Sequence, residues 1–181
     1  MIDAALIEAC APAVAVETIQ AIVRVESGGD PLALASNRST GAQRLRPASL
    51  SDAVEMTLRE IKAGYSVDIG LMQINSRNLA RLNLTVEAVF EPCTNIAAGA
   101  AILTESYDRA VKFHGDGQPA LHAALSAYNT GSLQRGFQNG YVAKYTTTRP
   151  TPQRRETAPK TAVIYAADFV VYRRTPQENT P

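Results

Sequence analysis

Along residues 1–145 apolar side chains return at every third and fourth position, and the alternation of a half-buried strand is nearly absent. This spacing narrows the outcome most: it predicts a mainly α-helical domain. The helices are expected over residues 3–10, 16–27, 50–63, 77–82, 93–113 and 119–128, with a short last piece over 141–145. End signals lie where the pattern stops: Gly28-Gly29 after the second helix, Ser49 or Ser51 ahead of the third, Gly64 behind it, and Asn75 or Ser76 ahead of the fourth. Residues 32–45 (LALASNRSTGAQRL) have no period and read as a surface loop, and no internal repeat is present.

The texture changes after Tyr145, where TTTRPTPQRRETAPK offers almost nothing to bury and reads as a linker. The expected organisation is therefore one domain over 1–145 and a flexible C-terminal tail over 146–181. Within that tail, residues 162–172 (AVIYAADFVVY) form an apolar segment that docks on this domain or on a partner, an edge strand and a short helix being equally open.

A net charge of +1 over 181 residues provides no field to gather nucleic acid or anionic membrane, so neither partner is expected. The longest apolar run, residues 96–103, is far short of the roughly 20 residues that cross a bilayer, so no membrane span is expected. The first basic residue is Arg24, and Asp3 and Glu8 stand where a secretory signal would be positive and then apolar. No signal peptide is legible; a trimmed chain, another export route and a cytoplasmic protein stay open on that ground. Cys10 and Cys93 fit neither a metal knuckle nor a redox pair, which leaves two buried thiols or one disulfide closing a long loop in an oxidising compartment.

On a helical wheel with Glu17 at zero, Ile22, Glu26, Ile19 and Val23 fall at about 140°, 180°, 200° and 240°. Glu26 thus sits mid-way across the apolar face, in the last turn before Ser27-Gly28-Gly29. Desolvation and the negative end of the helix dipole both act to raise the pKa of a carboxyl there, which suits a general acid. An ordinary Glu paired with a buried Arg fits the wheel as well. Gly70-Leu71-Met72-Gln73-Ile74-Asn75 combines a glycine that admits close backbone approach with amides suited to sugar hydroxyls and acetamido groups. Ala127-Tyr128-Asn129-Thr130-Gly131 closes an apolar helix, where glycine is an ordinary cap.

Taken in order, Glu26-Ser27-Gly28, Gly70-Leu71-Met72-Gln73-Ile74-Asn75, Ala127-Tyr128-Asn129-Thr130-Gly131 and Gly140-Tyr141-Val142-Ala143-Lys144-Tyr145 resemble the soluble lytic transglycosylases, whose fold is lysozyme-like of the goose type, helical around a substrate groove. The likeness runs from about Ala5 to Tyr145. The GLMQIN form and the two cysteines look most like the small transglycosylases of type IV secretion and conjugation systems. The resemblance implies a periplasmic enzyme that cleaves peptidoglycan between N-acetylmuramic acid and N-acetylglucosamine and leaves a 1,6-anhydro end. Glu26 would be the single catalytic acid and base. Gln73 and Tyr128 would hold the substrate and the acid, with Ser27, Met72, Asn129 and Tyr141 in support.

No cofactor or metal is called for, and His114 and His122 lack a second ligand at a suitable offset. Two other readings stay open. A lysozyme-like hydrolase would need a second carboxylate, for which Asp68 is the nearest residue. A peptidoglycan-binding scaffold would recruit type IV secretion components through residues 146–181. The stretch between Pro31 and Val67 is longer than the link of many family members, and its helix, with Glu55 and Arg59 four residues apart, is expected along the groove wall.

Overall fold

The computed structural model describes residues 2–146 and, further along, the backbone of two short strands, Tyr165–Ala166 and Phe169–Val170, which pair antiparallel. The expected linker lies outside the described residues, as does the 162–172 segment apart from that pairing. Two compact units are present. The first holds residues up to Ala11 together with Ile19–Ile102; the second holds Pro12–Thr18 and the chain from Leu103 onward. No helix among the described residues is long and apolar enough to cross a membrane.

In the first unit, α1 (Ala4–Cys10) starts at Asp3, whose carboxylate accepts from Ala5 N–H at 3.1 Å, and buries Ile7. Cys10 at its end is bonded to Cys93 in the first turn of α5 (Pro92–His114), with the Cα atoms 5.2 Å apart. The question left open by cysteine spacing is thereby answered as a disulfide. Helix α2 (Val16–Glu26), which belongs to this unit from Ile19 on, buries Ile19, Ala21, Ile22 and Val23.

The loop expected over 32–45 is instead two strands, β1 (Leu34–Arg38) and β2 (Gly41–Leu45), in a sheet of order β2-β1-β3-β4 with β3 (Ser66–Ile69) and β4 (Ile74–Asn75). All its pairs are antiparallel. Leu34, Ser36, Val67, Ile69 and Ile74 share the buried face; Ala35, Asn37, Ser66, Asp68 and Asn75 share the other. The alternation is hidden in the sequence because two inward positions of β1, Ser36 and Arg38, are polar, and because β2 is exposed along nearly its whole length.

Those inward polar groups meet α3 (Leu50–Lys62), which starts at Ser49 as expected: Ser49 Oγ accepts from Asp52 N–H at 3.2 Å and Asp52 accepts from Ala48 N–H at 2.8 Å. Glu60 on its inner face is buried and accepts from Ser36 Oγ at 2.6 Å and from Arg38 Nε and Nη2 at 3.1 and 2.7 Å. Burying that carboxylate is tolerable because both oxygens are engaged. The helix expected over 77–82 is only a 3₁₀ turn, Ser76–Asn78, followed by turns; positive φ at Asn83 (54°) stops any continuation. A short α4 (Val86–Val89) precedes α5.

The second unit contains α6 (Gln118–Thr130), buried from Ala120 to Ala127 except for the half-buried His122 and closed by Gly131 at φ 73°. Burial lowers the pKa of His122, so a neutral packing imidazole stands there. Ser126 Oγ donates to Ser132 O and accepts from Gly136 N–H, each at 2.7 Å, which seats α7 (Arg135–Gln138). Gly136 is needed because a Cβ would run into the Ser126 backbone. The last helix among the described residues, α8, covers Ala143–Thr146 rather than 141–145.

Candidate active site

Glu26 is half-buried and is the last residue of α2. The helix ends there because Ser27 Oγ folds back to donate to Val23 O at 3.1 Å and accepts from Gly29 N–H at 3.1 Å, while Gly28 and Gly29 take φ of 68° and 92°. Ser27 is therefore a helix-terminating residue beside the acid. The turn that follows steps along the backbone: Asp30 N–H donates to Ser27 O at 3.4 Å, Ala33 N–H to Asp30 O at 3.3 Å, and Gly70 N–H to Ala33 O at 2.8 Å. These bonds bring the Gly70–Asn75 motif to the chain that leaves Glu26.

Gln73 is fixed on the same carbonyls. Its Nε2 donates to Ala33 O at 3.1 Å and to Gly70 O at 2.9 Å, so both amide hydrogens are used. Only the nitrogen can donate twice to carbonyls, and this sets the amide orientation and leaves Oε1 as the acceptor for anything outside. Its backbone has φ 49°, a left-handed conformation that a non-glycine residue adopts at a cost of about 1–3 kcal/mol when it is strained. Such strain gathers at functional sites.

Met72 is fully buried, and its sulfur fills the space over Gly99 that any Cβ would take. It shapes the floor of the turn. Asn95, in the first turn of α5, holds that turn from beneath. Its Oδ1 accepts from Met72 N–H at 2.8 Å, and its Nδ2 donates to Ile69 O at 3.0 Å and Val89 O at 2.7 Å. Gly70, at φ 75°, lies directly on this amide, with no room for a Cβ. Sequence reading missed Asn95; an Asn three residues after Pro92 passes for a solvated helix start.

Asp68, on the sheet's other face, accepts from Asn75 Nδ2 at 2.6 Å and from Asn37 Nδ2 at 2.9 Å. Burial raises its pKa, and the two amides oppose that rise. Both oxygens are engaged in holding the sheet.

Tyr128, Asn129 and Tyr141 belong to the second unit. Tyr128 is half-buried and Asn129 exposed at the end of α6, where Asn129 Oδ1 accepts from Asn139 Nδ2 at 3.1 Å. Tyr141 is buried, with its hydroxyl 2.7 Å from that of the equally buried Tyr145 and the Lys144 ammonium 5.5 Å from its ring centroid.

Residues 3–149 match the model of the transglycosylase SLT domain. The chain belongs to the SLT transglycosylase domain family. Among curated relatives, it is 42% identical over 138 residues to the "Protein virB1" of Agrobacterium fabrum, covering 76% of this chain and 55% of that one. It is 37% identical over 177 residues to the "Type IV secretion system protein virB1" of Brucella abortus, covering 89% of this chain and 73% of that one. The chain thus spans about half the length of the Agrobacterium relative. No solved structure matches. Within this SLT domain the match takes in all four motifs that carried the resemblance.

Proposed function

We propose that this SLT domain is a periplasmic lytic transglycosylase that opens peptidoglycan for a type IV secretion apparatus. In this reading residues 1–145 are the catalytic part and residues 146–181 a tail that engages the apparatus, as the VirB1 relatives' type IV secretion name suggests. The observation that carries it is the half-buried Glu26 at the end of α2, tied through the Ser27–Ala33 turn to a Gln73 whose amide is locked.

Glu26 protonates the oxygen bridging N-acetylmuramic acid and N-acetylglucosamine. As that bond breaks, the muramic acid's own acetamido oxygen bonds to C1 and takes up the developing positive charge. The Glu26 carboxylate then removes the proton of the sugar's 6-hydroxyl, whose oxygen attacks C1 and releases the acetamido group. The product carries a 1,6-anhydro ring, and Glu26 ends protonated as it began. Gln73 and Tyr128 are assigned to the substrate and the acid, and Ser27, Met72, Asn129 and Tyr141 to supporting positions. The route needs one carboxyl. The engagement of both Asp68 oxygens by amides supports it over hydrolysis with Asp68 as a second acid.

The test is mass spectrometry of fragments released from purified peptidoglycan by the wild type and by Glu26→Gln. Anhydro-ended fragments from the wild type, reduced at least about a thousandfold in a variant that melts within a few degrees of it, are expected. Reducing ends would return hydrolysis, and binding without cleavage by either protein would favour a scaffold.

A further inference from the structure

Immediately beyond Asn129 the second unit has a shallow depression of about 440 Å³ lined, among the described residues, by Thr130, Arg135, Gln138 and Asn139, all polar. Its walls are built rather than loose. Thr130 Oγ1 donates toward Ser126 O and Ser132 O at 2.7 and 3.1 Å and accepts from Ser132 N–H, and Ser132 Oγ receives the N–H groups of Gln134 and Arg135. Arg135 spends one guanidinium nitrogen on Thr130 O at 2.5 Å, which holds the fork in place, and has no ion-pair partner among the described residues. From Gly117 to Thr146 the sequence carries Arg135 and Lys144 and no Asp or Glu. Gln138 adds an amide without a hydrogen-bond partner among the described residues. Asn139, also on the wall, donates from Nδ2 to Asn129 Oδ1 at 3.1 Å.

An arginine held through one nitrogen, with amides around it and no acid among the described lining residues, suits a carboxylate attached to an amide-rich chain. Peptidoglycan has such a group: the short acidic peptide that branches from the muramic acid. We propose that the Thr130–Arg135–Gln138–Asn139 depression is a subsite for a carboxylate of that stem peptide, with Arg135 its specificity-determining residue. The proposal rests on the peptidoglycan reading for its substrate but concerns residues that reading does not use. Asn139 lines the subsite and also donates to Asn129, a residue to which the proposed function gives a supporting role.

The test compares cleavage of glycan strands bearing intact stem peptides with cleavage of strands stripped by an amidase, for the wild type, Arg135→Gln and Arg135→Lys. The wild type is expected to favour peptide-bearing strands in kcat/KM. Arg135→Gln should lose about three- to tenfold of that preference, through KM, and Arg135→Lys should retain part of it. An unchanged preference, or an equal loss on both substrates, overturns the proposal. Calorimetry with a free tripeptide of alanine, γ-linked glutamate and diaminopimelate gives a second reading independent of turnover. Binding that weakens in Arg135→Gln and with added salt is expected; absent or Arg135-independent binding overturns it. If neither strand is cleaved by the wild type, the peptidoglycan-cleaving function fails, and the tripeptide binding alone decides the subsite.

Discussion

Asn95 presents one amide to three backbone groups: Met72 N–H, Ile69 C=O and Val89 C=O. All are buried with it, so removing the amide strands donors and acceptors that water cannot reach. Asn95→Ala is expected to cost about 3 kcal/mol or more in urea unfolding. A loss below about 0.5 kcal/mol would show that the turn under Gln73 holds itself. Glu26 and Gln73 were legible as residues, the one by its place on an apolar face and the other by its motif. What Gln73 does with its amide was not: the Ala33 carbonyl it grips is 40 residues away in sequence.

Between elements, Glu60 on α3 forms a polar link with Ser36 and Arg38 on β1. The Ser36 hydroxyl first, and the Arg38 guanidinium next, hold the Glu60 carboxyl below its ordinary value of 4.5. The folded state therefore binds its proton less readily than the unfolded chain. The stability this link contributes is fully present above pH 4.5 and is lost as pH falls through the lower folded value. Asp68 acts in the opposite sense. Burial lifts its pKa above 3.8, so its contribution favours the fold in acid and fades as pH rises through that raised value. Glu60→Gln is expected to be less stable than the wild type at pH 7, with the gap narrowing at pH 3. Urea melts of both proteins at the two pH values check this, and a gap that stays constant would place the role of Glu60 in packing alone. Helix α3 itself was readable from period and cap. The sheet it packs on was not, because its inward Ser36 and Arg38 look like surface residues until Glu60 stands opposite them.

At the scale of the whole chain, the Cys10–Cys93 bond joins residues 83 apart in sequence within the first unit. Closing so long a loop restricts the unfolded chain, an effect of about 4–5 kcal/mol at most on the chain-entropy model. Reduction, or the Cys10→Ser/Cys93→Ser double variant, is expected to lower unfolding free energy by up to that amount. Denaturation with and without reductant measures it, and coincident curves would remove the bond from the account of stability.

The sequence by itself determined the helical character of the chain, most helix ends, the placement of Glu26 in the last turn of α2 and the motifs that mark the family. These are encoded within a few residues, by recurrence at three and four and by local caps, and need no distant partner. Only the tertiary structure decided that residues 34–38 and 41–45 are strands, that the cysteines pair, that Gln73 turns left-handed with both amide hydrogens held, and that Asn95 supports it. Each of these depends on a polar group or a thiol meeting a partner from 23 to 83 residues away, apart from the strand pairs and short bonds that follow from them. Until the chain folds, such a group is chemically the same as one that faces water.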